Sequence, residues 1–214
     1  MEEICTEIFR RNQTSIKIKK EAVAVKNLVK IFDTTLALSN SKGFQTTSLR
    51  DLSAASGLSM GALYSYFSSK DELLEMILSQ GRQMTRRILT RYIYADDPPK
   101  KKLSDAIRTH LYLTEVMQPW FYFAYLEAKN LKRDQQKKVI AGELATEKIF
   151  IDILEEGNAA GIFACDSPVL TASAIKAMLQ DWYLKRWKYQ RRNISVDTYA
   201  VFLIKLVETI VAPG

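Results

Sequence analysis

Histidine, cysteine, glycine and proline are all scarce in this chain: one His, two Cys, eight Gly and five Pro among 214 residues. So few glycines and prolines exclude a turn-rich all-β fold, whose hairpins need residues that tolerate unusual backbone angles. The single His110 and the widely separated Cys5 and Cys165 cannot supply the donors of a metal site, so neither metal nor cofactor is expected. The two cysteines sit in no motif, which excludes a disulfide framework and fits a reducing compartment. No apolar run approaches the ~18 residues needed to span a bilayer. The opening Met1-Glu2-Glu3 lacks the basic-then-apolar order of a secretory leader, so a cytoplasmic protein with no membrane contact is expected. Also missing are a Ser/His/Asp set, a phosphate loop and a paired-histidine signature, and no enzyme is expected.

What remains is an ordinary globular composition, 47% hydrophobic and 26% charged, carrying a formal charge of +7. A basic excess suits a polyanionic partner such as nucleic acid or an anionic surface. The chain reads as helices from near its start to its end. Residues 1–20 are polar and of mixed charge, and read either as a frayed extension or as a basic arm lying along a DNA groove. From Glu21 to Lys42 the apolar Val25, Leu28, Ile31, Phe32, Leu36 and Leu38 recur at three- and four-residue steps, which predicts an amphipathic helix. Gly43 is placed as its C-terminal stop, with Phe44 as the hydrophobic contact beyond it.

A compact pair of helices follows. Ser48 with Asp51 three residues on has the form of a capping box, so a short helix is expected through Ser56 and a stop at Gly57. Ser59 then caps a third helix running Met60 to Tyr66. Two short helices joined by a tight glycine turn make a helix-turn-helix. Ser68 and Ser69, with Asp71 and Glu72, open a fourth helix continuing to about Tyr94. Asp96-Asp97-Pro98-Pro99 breaks the chain. Further helices are expected over Lys101–Met117, from Pro119, over Gln135–Ala160, from Ser167 to about Gln190, and over Ser195–Val211. The fold class is therefore all-α with about nine helices. A helix-turn-helix domain spans residues 21–68, and a helical domain spans residues 69–214.

A recognition helix enters the major groove by its N-terminal end, so its first residues must be small or polar. Ser59, Met60, Gly61 and Ala62 fill those places. Gly61 costs roughly 1 kcal/mol of helix stability against Ala, and close backbone approach to DNA accounts for that cost. Tyr64 and Tyr66 carry hydroxyls suited to phosphate oxygens, Tyr66 being the more exposed by position, and Lys70 offers a point charge near a helix start. Thr47 and Ser48 present hydroxyls and N–H groups to a phosphate, or simply cap their helix. Arg50 is the candidate for bidentate readout of guanine, its alternative being a solvated side chain. One module buries too little for tight specific binding, so a homodimer on double-stranded operator DNA is expected. Leu170, Ala174 and Met178, with Tyr199, Phe202 and Leu206, lie on apolar stripes of the last two long helices and are the candidate dimer interface. Their alternative is packing within one subunit.

The string GFQTTSLRDLSAASGLSMGALYSYFSSKDELL, from Gly43 to Leu74, resembles the DNA-binding domain of the TetR/AcrR family of repressors. The match runs through Gly43-Phe44, Thr46-Thr47-Ser48, Gly57-Leu58-Ser59, Leu63-Tyr64, Tyr66-Phe67, Lys70 and Glu72-Leu73-Leu74. Ser39 stands where that family usually has Phe, and Ser53 and Ser56 where it usually has Ala. The resemblance implies a repressor whose final two helices pair between subunits and whose middle helices hold a small-molecule effector. His110, Trp120, Phe123 and Trp182 are the candidate pocket residues, and their rings suit a small apolar or aromatic effector. The alternative is a helix-turn-helix regulator whose second domain only dimerises or binds proteins. The run from Trp182 to Arg192 mixes cations with aromatics as single-strand binders do, but also reads as pocket or interface aromatics followed by helix-end cations.

Overall fold

A computed structural model describes residues 2–93 and 96–213. Its α-helices are α1 (Glu2–Arg11), α2 (Glu21–Lys42), α3 (Leu49–Ser56), α4 (Met60–Leu63), α5 (Lys70–Arg91) and α6 (Pro99–Val116). They continue with α7 (Gln118–Glu127), α8 (Arg133–Ala159), α9 (Pro168–Leu184), α10 (Arg186–Arg191) and α11 (Val196–Ile210). No strand occurs among the described residues, so the fold is all-α, with two more helices than the sequence pattern gave. The expected end of the fourth helix at Tyr94 lies outside the described residues.

Two compact units divide the chain. One is Met1–Met84 with Tyr122–Gln136, and the other is Thr85–Phe121 with Lys137–Gly214. The boundary expected after residue 68 thus falls inside the first unit, which also recruits a stretch from the middle of the chain.

In the first unit, α2 is the axis. Val25, Leu28, Ile31, Phe32 and Leu36 are buried, as their spacing requires, and Gly43 ends the helix at φ 87°. Ser39 is buried, and its hydroxyl has no hydrogen-bond partner among the described residues. Residues 2–11 are a helix rather than a frayed tail. Ile4, Cys5, Ile8 and Phe9 form an i, i+1, i+4, i+5 stripe that is buried, and α1 packs on α2. Burial pushes the Cys5 thiol up to about 12, so it stays protonated.

In the second unit, α6 packs against α9 and α11. Ser167 and Ser195 cap α9 and α11 by accepting the N–H of Leu170 (3.4 Å) and Thr198 (3.1 Å). Pro99 and Pro168 begin their helices where a missing N–H costs nothing. The expected single helix to Gln190 is instead broken at Lys185. Asp181 accounts for the break: it pairs with Lys185 at 2.8 Å and also takes Lys188 and the Tyr189 hydroxyl, drawing the next turn back toward α9. Burial alone would raise the Asp181 carboxyl, but those three partners outweigh it and bring it to about 2. Glu115 likewise takes both arms of Arg186 at 2.8 Å and the Trp182 indole N–H at 3.0 Å. Trp182, Lys185, Arg186, Lys188 and Tyr189 of this run are therefore spent on internal contacts, while Trp187 remains exposed beneath the Arg191 guanidinium.

Candidate nucleic-acid interface

The helix-turn-helix is α3, a left-handed turn at Gly57 (φ 68°), and α4. Its caps are sequence-encoded. The Ser48 hydroxyl accepts the Asp51 N–H at 3.1 Å, and the Asp51 carboxylate accepts the Ser48 N–H at 2.8 Å, so the capping box closes both ways. Those bonds and the ion pair with Lys42 (2.9 Å) hold the Asp51 carboxyl well below the usual range. The Ser59 hydroxyl accepts the Ala62 N–H at 3.2 Å and starts α4.

Ser48, Arg50, Ser59, Gly61 and Tyr64 are exposed, and Met60 and Ala62 half-buried. A Cβ built on Gly61 would meet nothing of this chain closer than the Ser59 hydroxyl at 4.0 Å. Internal packing therefore does not demand glycine there. Arg50 extends from the first turn of α3 into solvent.

Three expected contacts turn inward. Tyr66 is 1% exposed against 45% for Tyr64, the reverse of the order expected from their positions. The cause is local: α4 stops at Leu63 and the next residues form a tighter turn, so side-chain directions no longer advance by helical steps. The Tyr66 hydroxyl accepts a 2.9 Å hydrogen bond from the Asn27 amide on α2. Thr47 is buried and donates to the Gly43 carbonyl at 2.9 Å. Lys70 is half-buried, donates to the Gln45 carbonyl at 3.0 Å and lies 4.5 Å over the Phe44 ring. Internal partners thus account for Lys70 without an external anion.

A buried acid that sequence reasoning missed braces the same loop. Glu127, at the end of α7, accepts the Phe44 N–H at 3.0 Å and the Asn130 amide at 3.1 Å. Phe123 on the same helix meets Phe44 edge-on at 5.7 Å, and Lys132 pairs with Asp71. Phe123 is accordingly part of the DNA-binding unit's core. Among the other three candidate pocket residues, His110 and Trp120 share Phe121 as a neighbour, at 6.1 and 4.8 Å between ring centroids, while His110 also faces Lys176 at 3.3 Å and Trp182 stacks on Tyr199 at 5.0 Å.

The model of the tetracyclin repressor-like C-terminal domain matches residues 96–205, and that of the bacterial regulatory proteins of the tetR family matches residues 31–77. The chain belongs to the TetR family. Among TetR-family relatives, the HTH-type transcriptional repressor KstR2 of Rhodococcus jostii (strain RHA1) is 27% identical over 190 residues, covering 83% of this chain and 87% of that protein. A tetR-family regulatory protein from Rhodococcus RHA1 has the same fold at TM-score 0.80 and 20% identity, covering 88% of this chain and 98% of that one. AibR, crystallised with isovaleryl coenzyme A and operator DNA, matches at TM-score 0.73 and 18% identity over 84% of this chain and 97% of its own. This TetR-family chain is thus a DNA-binding transcriptional regulator of the helix-turn-helix type.

The expected dimer residues divide between two faces of α9 and α11. Leu170 is 71% and Phe202 60% exposed, Ala174 is exposed, and Met178 and Leu206 are half-buried. Tyr199 is the exception: it is buried, stacked on Trp182, and donates its hydroxyl to the Met178 carbonyl at 2.9 Å. It belongs to its own subunit's core.

Proposed function

We infer that this protein is a homodimeric repressor that binds an operator through α3 and α4 and leaves it when a small effector binds the helical domain. The observation that carries the DNA half is the bare leading end of α4, with Ser59 and Gly61 exposed and Ala62 half-exposed beside them. Arg50 reads a guanine edge; Ser48 and Tyr64 hold phosphates; Met60 and the Ala62 methyl meet apolar base edges. Thr47, Tyr66 and Lys70 support these groups from within.

Dimerisation rests on the outer stripe of α9 and α11. Leu170, Phe202 and Ile210 are more than half exposed and, with Ala174, Met178 and Leu206, form an apolar face of the kind that a second copy covers. The effector is a small molecule with an apolar or aromatic body. AibR, of the same fold, holds an acyl-coenzyme A together with operator DNA, which makes acyl thioesters the first class to try. A second reading, a dimer brace without effector, draws on the tight burial of His110, Trp120 and Trp182.

Selecting genomic fragments with the purified protein tests the proposal. Recovery of a palindromic site, bound by a particle of two chains and released by an acyl-coenzyme A, is the expected result. Failure to enrich any fragment over bulk DNA overturns the DNA half. Specific binding that no acyl thioester or free acid relieves favours the brace.

A further inference from the structure

The segment between α1 and α2 is fixed, and what it fixes is positive charge. Asn12 continues α1 by donating its N–H to the Ile8 carbonyl at 3.0 Å, and the Ile16 N–H returns to the Asn12 carbonyl at 2.8 Å. Ile16 itself is 0% exposed. One residue on, the Lys17 N–H donates to the Ser65 carbonyl at 2.9 Å. Ser65 lies in the turn that closes α4, next to the exposed Tyr64. The backbone of Lys17 is therefore tied to the recognition helix by a bond that its side chain plays no part in.

Lys17, Lys19 and Lys20 are all exposed. The neighbouring cations are neutralised at home: Arg10 pairs with Glu21 at 2.9 Å and Arg11 with Glu7 at 3.5 Å. None of the three lysines pairs with a carboxylate among the described residues, and the Lys19 ammonium meets only the Gln13 carbonyl, at 3.3 Å. Lys17 is held beside the α4 turn by its backbone, and three uncompensated charges within four residues give this segment a local positive potential that suits an external polyanion.

We propose that Lys17, Lys19 and Lys20 form a second phosphate-binding element that grips the DNA backbone next to the groove entered by α4. The helix α1 and the buried Ile16 serve as its anchor. The element carries no sequence information, since ammonium groups on phosphates position a protein without reading bases. Its backbone is ordered before DNA arrives, so less conformational entropy is lost on binding than for a loose basic tail. This rests on the DNA-binding reading above, and its test separates the two.

The experiment compares the full-length protein with the triple variant Lys17→Ala/Lys19→Ala/Lys20→Ala by fluorescence anisotropy, on the selected operator and on a random duplex, across a salt series. Each lost phosphate contact lowers the slope of log K against log salt by about 0.9, so a fall of about two to three per subunit, or about five for the bound dimer, is expected, with similar proportional weakening on both duplexes. A Lys17→Arg/Lys19→Arg/Lys20→Arg variant keeps the slope. Unchanged melting of the alanine variant shows that the fold is intact. A slope equal to that of the unaltered protein overturns the proposal while leaving the DNA reading standing. Absence of binding by the unaltered protein on any duplex sinks that reading and this proposal with it.

Discussion

Replacing Tyr66 with Phe separates the structural account of this interface from one based on residue position alone. The ring is buried and stays packed, so the change removes only the hydroxyl and the 2.9 Å bond it accepts from Asn27. A net hydrogen bond of this kind contributes about 0.5–1.5 kcal/mol. Asn27 is half-buried and can regain water, which keeps the cost inside that range. For a chain of this size, melting falls by about 2–4 °C per kcal/mol, so Tyr66→Phe lowers it by about 1–6 °C. Operator affinity stays within about twofold, because the lost atom does not face solvent. Tyr64→Phe behaves in the opposite sense: melting is unchanged, while binding weakens on every duplex through loss of a phosphate contact. Calorimetry and anisotropy on the two variants give all four numbers. A Tyr66→Phe protein that melts normally but binds DNA several-fold more weakly would refute the reasoning.

Four further outcomes follow from the same geometry. Arg50→Ala narrows the gap between operator and random duplex by about 1–3 kcal/mol, and equal losses on both would remove its reading role. Glu127→Ala strands the buried Phe44 N–H and destabilises the protein by about 1–3 kcal/mol in thermal melts, with Asp failing to rescue because it is shorter. Gly157→Ala drives a methyl to 1.9 Å from the Phe163 ring and costs about 1–3 kcal/mol; a neutral result would mean that ring moves freely. Burial and the nearby Lys176 hold His110 well below its ordinary value of 6.5. The unfolded chain then binds the extra proton as pH drops below 6.5, so folding stability is complete above that value and declines beneath it. His110→Gln flattens the decline, measured by denaturant melts between pH 7 and 5.

Short-range chemistry was the legible part of this chain. The stripe of α2, both halves of the Ser48–Asp51 capping box, the stop at Gly57 and the Ser59 cap all depend on residues within four positions of each other. Departures arose where distance or local irregularity decided. Tyr64 and Tyr66 exchanged roles because α4 is one turn long and the chain tightens after Leu63. Nothing near Phe123 in sequence points to Phe44, 79 positions earlier, so its place in this core is not legible from local pattern. The helix α1 had a signal, the paired apolar residues 4, 5, 8 and 9, hidden within a stretch whose overall polarity suggested a loose end.

The union of Tyr122–Gln136 with the first 84 residues sets an order of events during synthesis. A ribosome that has released only the helix-turn-helix has made a surface on which the Phe44 amide and ring still lack Glu127 and Phe123. The DNA-gripping part matures only after some fifty more residues have emerged, and a fragment cut after Arg91 carries an unfinished core.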